Sequence, residues 1–529
     1  MNFEFFIIRQ GRYFLFLGCL VLFACNKNTL SESTLLVDKT LYLKQQSDRQ
    51  YPPENVMRLI DKQSDIKKTE QHYFNELKLL DTAFAQFTLK NGLIVDVLSR
   101  DNSPSINITA IVNAGKDQLS VKDELLSPLV LKLLKQGTQK YTKLDFQQTV
   151  SLLGEPIRYW QTSHYSVISV NLLPQDLELA LSLLAQQLAY IDPDKNSYKK
   201  ITEQQLIENK LAYSSGSYLA KLLFSQNNYP EAHIYHQQQT NSNEIKNLTK
   251  TELLDFYKKF FRPMQTRLII SGNFDAALLQ NKVFEYFSDW TDGSEDQFNP
   301  VQFSDKAHTP VSNIPSFAKS KPLQFDFIER EGAQQIDLLY GVVTVPRHSS
   351  DWLSLNILAA LLGGGPGSRL FTDLREKQGL AYFISARQLS GRYQSPFFIQ
   401  TSVAPDKLIK MINGINNHIE HLCSNEVNQY ELAQIKQQLS GQILFKLQSN
   451  QQLVSNKIYQ LENDLNNDYL YQLAKDIQQI NAQQLFMAAN KYLCGQHNFI
   501  AVGELSMVDK TIQEKLKDYH FTIHHLPLH

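Results

Sequence analysis

Two segments of the chain repeat one pattern 231 residues apart (Gly272 to Gly503), and that recurrence narrows the folds open to it. Thr249 to Phe261 has helical spacing and opens with a capping box, Thr249 with Glu252. It runs on to the strand-like stretch Arg267-Leu268-Ile269-Ile270-Ser271-Gly272. Near the C-terminus, Asn481 to Leu493 again reads as a helix, followed by Asn498-Phe499-Ile500-Ala501-Val502-Gly503. A helix, a strand and a closing glycine in the same order imply two copies of a duplicated α+β unit. At 529 residues the chain exceeds one ordinary core, so two halves also suit its length.

The first half opens with a hairpin. Phe84 to Leu89 and Leu93 to Leu98 flank Asn91-Gly92, a dipeptide that tolerates the positive φ of a two-residue turn. A strand over 106–112 follows, then helices over 120–136 and 143–153, strands over 157–160 and 166–171, and helical patterns at 175–189 and 195–224. The second half proceeds in the same manner, with a strand at 336–343, a helix at 351–362, a glycine-rich turn, a short helix at 368–377, and strands at 382–387 and 397–403. Strands interrupted by helix pairs give an α+β fold. The expected halves are residues 76–290 and 321–529, with 291–320, rich in Asp, Ser, Asn and Pro, as the linker.

The N-terminus reads as an address rather than as part of the fold. Arg9 and Arg12 precede an apolar run, Tyr13 to Ala24, too short to span a bilayer but suited to a signal peptide. A small residue before Cys25 resembles a bacterial lipoprotein cleavage box. Residues 1–24 are then the signal, Cys25 is lipidated, and residues 25–75 form a tether with a leading helix. A plain signal peptide or N-terminal anchor is the alternative. Asn26 lacks the Asp that marks inner-membrane retention, so the outer membrane, facing the periplasm, is the expected site in a Gram-negative source. Only Cys423 and Cys494 remain; they are free to form one disulfide, and their spacing suggests no metal site. With a formal net charge of −1 and no long basic block, nothing favours nucleic acid as a partner.

The run from Leu361-Leu362-Gly363-Gly364-Gly365-Pro366-Gly367-Ser368-Arg369-Leu370 through Arg375-Glu376-Lys377-Gln378-Gly379-Leu380-Ala381-Tyr382 resembles the C-terminal domain of insulinase/pitrilysin-type zinc peptidases. The Asn91-Gly92 hairpin, Ala114-Gly115, Gly137-Thr138 and Ile270 to Asp275 resemble the same family in its order, over almost the whole mature sequence. The resemblance implies two homologous halves. It also implies a helix bearing H-x-x-E-H, whose histidines share one helix face to hold zinc while the glutamate polarises water. Registered on Gly137-Thr138, those places fall to Pro128, Leu131 and Lys132. A peptide proline nitrogen cannot bind metal, leucine is no base, and an ammonium repels zinc, so no zinc centre is expected here. Ser127 and Pro128 also suit the cap and first turn of a helix. The family's third ligand would fall near Glu208 or Asn209, where a solvated helix glutamate is the plainer reading.

Other histidines offer little. His233 and His236 lie where the family has a loop rich in His, Pro and Tyr, and His418 and His421 are three apart; both pairs read as surface or capping residues. His520, His524, His525 and His529 read as a frayed terminus that binds metal adventitiously.

What the resemblance keeps is an Arg and a Tyr seven residues apart, Arg375 and Tyr382, which in the family face the zinc across a closed chamber. A guanidinium can hold a carbonyl or carboxylate, and a phenol can donate to an oxyanion. Gly364 and Gly365 end one helix and start the next, with substrate contact as a second role carried over from the family. The resemblance therefore implies a non-catalytic subunit that brings Arg375 and Tyr382 to extended peptides. A paralogous partner chain would carry H-x-x-E-H and the zinc. The alternative is a peptidase-shaped lipoprotein that binds peptides or scaffolds an envelope complex.

Overall fold

The computed structural model describes residues 84–116, 119, 121–194, 196–240, 242–291, 324–495, 498–508, 514 and 520–524. The expected signal, Cys25, the tether and nearly all of the linker lie outside them. Two six-stranded sheets organise the rest. The first is built from β1 (Ala85–Thr88), β2 (Ile94–Ser99), β3 (Ile106–Val112), β4 (Arg158–Gln161), β5 (Ser166–Leu172) and β6 (Thr266–Gly272), in the order β1-β2-β6-β3-β5-β4. The second comprises β7 (Gln324–Glu329), β8 (Ile336–Val343), β9 (Ala381–Gln388), β10 (Pro396–Val403), β11 (Asn498–Gly503) and β12 (His520–His524), in the order β12-β7-β11-β8-β10-β9.

The duplication is visible strand by strand. β2 lies parallel to β6 as β7 does to β11. β3 is antiparallel to β6 and β5, as β8 is to β11 and β10. β4 and β9 occupy matching edges. The halves differ at the opposite edge, where β1 runs antiparallel to β2 but β12 runs parallel to β7.

β3 and β6 are buried at every residue, although alternation along a strand would leave one face open. A helix borrowed from the other half closes that face. Five helices carry the argument: α1 (Val121–Leu133), α2 (Ser197–Tyr213), α3 (Gly216–Asn228), α4 (Trp352–Gly363) and α5 (Asn450–Glu462). From the second half, α5 places Val454 and Ile458 against Ile111, Val167 and Ile269 of the first sheet. From the first half, α3 places Leu219, Leu223 and Phe224 against Leu339, Val343, Phe398 and Val502 of the second. Both helices start at a serine cap, Ser215 or Ser449, whose side chain accepts from the backbone three residues on. The fit is close: a Cβ on Gly341 would stand 2.5 Å from the Phe224 ring, which meets Phe398 edge to face at 4.8 Å.

Some elements depart from the sequence reading. The pattern over 195–224 is two helices, because the chain turns at Ser214-Ser215 to send α3 across to the other sheet. β7, just beyond the expected linker, and β12, at the supposedly frayed terminus, went unanticipated; they pair with each other, and His524 Nε2 lies 2.7 Å from Asp326 Oδ1. Residues Phe371–Lys377 form a π-helical segment rather than a plain short helix. Cys423 and Cys494, whose pairing was open, are joined by a disulfide across 71 residues.

Phe224→Ala empties the contact between α3 and the second sheet and is expected to cost about 3–5 kcal/mol. Urea unfolding checks this; a loss under 1 kcal/mol would mean that the borrowed helix is not what couples the halves.

Candidate functional site

The helix expected to carry the zinc ligands is α1. Ser127 does not cap it and Pro128 is not in its first turn, as the sequence had suggested, because the helix already starts at Val121. Pro128 sits in its interior, where it cannot donate a hydrogen bond to the preceding turn. Ser127 is buried, with its hydroxyl 3.3 Å from both the Ala114 carbonyl and Ser166 Oγ. Leu131, at the place of the catalytic glutamate, belongs to the apolar core of the first half. Lys132, at the place of the second histidine, reaches α2: its Nζ donates to Gln205 Oε1 at 2.8 Å and to Glu208 Oε2 at 2.5 Å. The two residues between which the sequence left the choice open have different partners. Glu208 faces Lys132, while Asn209 donates to the Thr240 carbonyl. Glu208 is thus ion-paired rather than simply solvated. Where four ligands would surround a cation, a fixed ammonium meets a single carboxylate, and the residues present do not fit zinc. Among the described residues, no cluster of three His, Cys, Asp or Glu side chains is placed to hold a metal.

Arg375 and Tyr382 come together in the other half. Arg375 lies in the π-helical segment, which polar contacts from Asp373 within it and from Arg369 just before it tie to neighbouring helices. His418 Nε2 is 2.8 Å from Asp373 Oδ2, and Arg369 grips Glu431 through two donors at 2.7 and 2.8 Å. The guanidinium carbon stands 4.2 Å from the centroid of Phe371 and 5.6 Å from that of Tyr382, stacked on one ring and near the other. Among the described residues no carboxylate pairs with it.

Tyr382 stands on β9, the edge strand. Thr401 pairs with Ile384 and Val403 with Ala381, so Tyr382 and Phe383 together oppose the single residue Ser402. This bulge breaks the alternation and leaves both rings outward, Tyr382 with 85% of its surface exposed and Phe383 with 43%. Beside them runs a groove of about 540 Å³, lined by Gly363, Gly364, Gly365 and Phe371 and by β9 from Ile384 onward. A Cβ on Gly363 would lie 2.3 Å from the Ala386 nitrogen, so glycine lets the end of α4 approach the strand. Gly364 closes that helix, its N–H bonded to the Ala360 carbonyl. Arg375, Tyr382 and the two glycines therefore form one neighbourhood around Phe371. Pro128 borders a separate cavity of about 730 Å³.

A family model described as the peptidase M16 inactive domain matches residues 247–439, the span that includes Arg375 and Tyr382. Over that span the chain resembles the insulinase/pitrilysin (M16) type. An uncharacterized zinc protease of Rickettsia bellii is 22% identical over 436 residues, covering 78% of this chain and 96% of that one. A probable inactive metalloprotease, YmfF of Bacillus subtilis, is 21% identical over 282 residues, covering 51% of this chain and 60% of that one. In fold, the chain resembles a peptidase M16 inactive domain from Pseudomonas fluorescens, with TM-score 0.67, 19% identity, and 80% of this chain and 98% of that one covered. It also resembles a protease from Helicobacter pylori, with TM-score 0.69, 17% identity, and 79% and 99% covered.

His233, His236, His418 and His421 each meet partners within the fold. His418 and His421 brace the segment that carries Arg375, through Asp373 and Arg369. His233 is not a surface residue: it is buried, stacked on Tyr229 at 4.8 Å and edge-on to Tyr235 and Tyr393. The Tyr235 amide donates to its Nδ1, so the ring is neutral in place. Sequence reasoning missed Phe371, the platform for Arg375. Its spacing of four residues from the arginine was the available signal. No sequence signal announced the bulge.

Installing the family's ligands tests the register of α1. Pro128→His, Leu131→Glu and Lys132→His together, with Glu208 left in place, should bind about one zinc per chain by elemental analysis. Adding Glu208→Gln should remove most of it. For His233, burial and then the charge of His236 push the pKa down to about 4, against 6.5 for the free side chain. The unfolded chain therefore takes up a proton first as pH falls. Stability should be full above about pH 6.5, fall toward pH 4, and level off below. His233→Phe should flatten that part of the slope in urea midpoints measured between pH 7 and 4.5.

Proposed function

We propose that this chain is the non-catalytic subunit of a two-chain zinc metalloendopeptidase. In this reading a paralogous partner carrying H-x-x-E-H brings the metal, and this chain brings Arg375 and Tyr382. The observation that carries the reading is the Arg375–Tyr382 pair itself, assembled and outward-facing on a chain whose own metal-ligand places hold Pro128, Leu131 and Lys132. The guanidinium, stacked on Phe371 and with no carboxylate partner among the described residues, is available to hold a substrate carbonyl or carboxylate. The phenol, turned out by the bulge, is available to donate to the oxyanion of a peptide bond under attack. Extended peptides are the matching substrate class, since among the described residues no strand pairs with the outer edge of β9.

The same reading makes the protein an exported lipoprotein of the cell envelope, held through Cys25 in the outer membrane and facing the periplasm. The Cys423–Cys494 disulfide supports export, because such bonds persist in oxidising compartments.

Co-expression with a paralogue bearing H-x-x-E-H should give zinc-dependent peptide cleavage that neither chain shows alone. Within that pair, Tyr382→Phe should lower kcat by about a hundredfold or more with little change in KM, as expected for loss of an oxyanion donor. Arg375→Ala should lower kcat/KM by a similar factor. Unchanged cleavage in both variants would sink the assignment and leave a peptide-binding scaffold as the better description.

A further inference from the structure

The groove beside Tyr382 continues along β9. Consecutive residues from Ile384 to Ser390 line it, buried and exposed ones alike, so it follows the strand itself rather than one face of the sheet. Across from the strand, the helix Gln429–Phe445 contributes Gln438, Gln442 and, at its cap, Lys446. Spaced four apart, these three share one helix face and span about 12 Å. Gln438 Nε2 stands 4.0 Å from where a Cβ on Gly365 would lie. Lys446 belongs to the other end. It feels the charge of Arg347, whose Nε donates to the Tyr459 hydroxyl at 2.9 Å, and that hydroxyl donates to Ser390 Oγ at 2.8 Å. The ammonium therefore stands toward Ser390, away from Tyr382.

No aspartate or glutamate lines the groove, and among the described residues no carboxylate pairs with Lys446. Every lining residue falls within 324–495, a stretch described without a break. The acids on the helices around it act elsewhere: Arg369 holds Glu431, Asp476 lines a separate cavity with Arg347, and Glu462 lies beside Tyr235. Arg387, on the strand, adds a second positive charge. A lysine that closes a helix complements the helix dipole, and Lys446 does so. The groove asks more of it. Burial first, and then the Arg347 charge, hold its ammonium below the ordinary lysine range. A cation withdrawn from water without a counter-charge costs stability, which an incoming anion would offset.

The rest of the groove says what carries that anion. Neither Gln438 nor Gln442 has a side-chain hydrogen-bond partner among the described residues, so two amides stand ready beside a strand edge. A peptide added to β9 would turn alternate side chains toward that helix, neutral ones to the glutamines and an acidic one to Lys446. Inorganic phosphate would meet Lys446 and leave the strand edge and both amides unused.

We propose that this groove selects extended peptides bearing a glutamate or aspartate several residues from the bond at Tyr382, with Lys446 on the carboxylate. The inference rests on the reading that extended peptides lie along β9, and it adds which peptides do so.

The test uses the full chain alone, with fluorescein-labelled, C-terminally amidated peptides followed by anisotropy. Each peptide alternates threonine and serine over about twelve residues, enough to run the length of the groove as a strand, with glutamate, glutamine or lysine in place of one central threonine. The glutamate peptide should bind about fivefold or more tightly than the glutamine peptide, the scale of one charged contact at a partly solvated site, and the lysine peptide should bind least. Lys446→Gln should bring the glutamate peptide down to the glutamine peptide's affinity, and Lys446→Arg should keep the preference. Lys446 is exposed, so the fold should survive, and the urea midpoint checks that it does. Lys199→Gln, on α2 and with 82% of its side chain exposed, should also keep the preference. Equal affinity for the glutamate and glutamine peptides would overturn the proposal, as would a preference that persists in Lys446→Gln. A preference lost equally in Lys199→Gln would overturn it too, because the attraction would then be diffuse. Equal binding of all three peptides would leave strand addition at β9 standing and remove the charge preference alone. Unchanged two-chain cleavage in Arg375→Ala and Tyr382→Phe would instead sink the two-chain reading and leave the measured preference in place.

Discussion

Each half of this molecule covers the open face of the other's sheet, and the rest of the structure depends on that exchange. A sheet with helices on one side only leaves its second face to water, and strands as apolar as β3 and β6 could not stand so exposed. α3 and α5 close the two faces reciprocally. The first residue of α5, Asn450, is buried and fixes the contact with directed bonds: its amide donates to the Ser105 carbonyl at 2.7 Å and its oxygen accepts from Ser271. Since unpaired buried amides cost about 1–3 kcal/mol, this residue specifies the seating of the helix as well as stabilising it. The exchange also sets where chemistry can occur. It makes the junction of the halves a permanent feature of one chain and leaves β4 and β9 as the matching edges of the two sheets, paired on their outer side with no described strand.

The fate of the zinc place follows from charge. A metal site without its metal gathers acids that repel one another, and a helix glutamate left from such a set would be an electrostatic liability. Lys132 answers Glu208 directly, so the first half needs no ion to be electrically settled. Glu208 keeps 46% of its side chain in water, so the pair is worth little as a stabilising contact; its consequence is exclusion. An ammonium fixed at this point keeps the Glu208 carboxylate from a divalent cation. Pro128 and Leu131 remove the remaining donors.

Much of this was legible in the sequence, and the reason is local. The capping box at Thr249, the Asn91-Gly92 turn and the recurring helix–strand–glycine pattern are short-range signals that tertiary contacts did not override. The expectation that α1 holds no zinc came from registering the family's motif on it, where side-chain chemistry disqualifies proline, leucine and lysine as ligand and base. What escaped depended on distant partners. The break at Ser214-Ser215 interrupts a continuous helical pattern because α3 must reach another sheet. β12 has no strong pattern of its own and is a strand because β7 offers it an edge. His233 reads as a loop histidine until Tyr229 and Tyr393 enclose it.

The geometry at β9 combines both kinds of information. Arg375 and Tyr382 were singled out as a pair by the family resemblance, but a resemblance does not say which way a strand residue points. In a regular strand, neighbours alternate, and either Tyr382 or Phe383 would turn inward. The bulge opposite Ser402 lets both stay outside, and the π-helical segment carries Arg375 round so that its guanidinium lies between Phe371 and the phenol. Both irregularities cost regular hydrogen bonding, and they occur at adjacent points of the chain. Their buried neighbours Leu374 and Ile384 pack into the core while Tyr382 and Phe383 stay outside. Local structure that spends stability without improving packing is best explained by what it presents. Here it presents one fixed cation and one hydroxyl, side by side, at a strand edge that still has room for another chain.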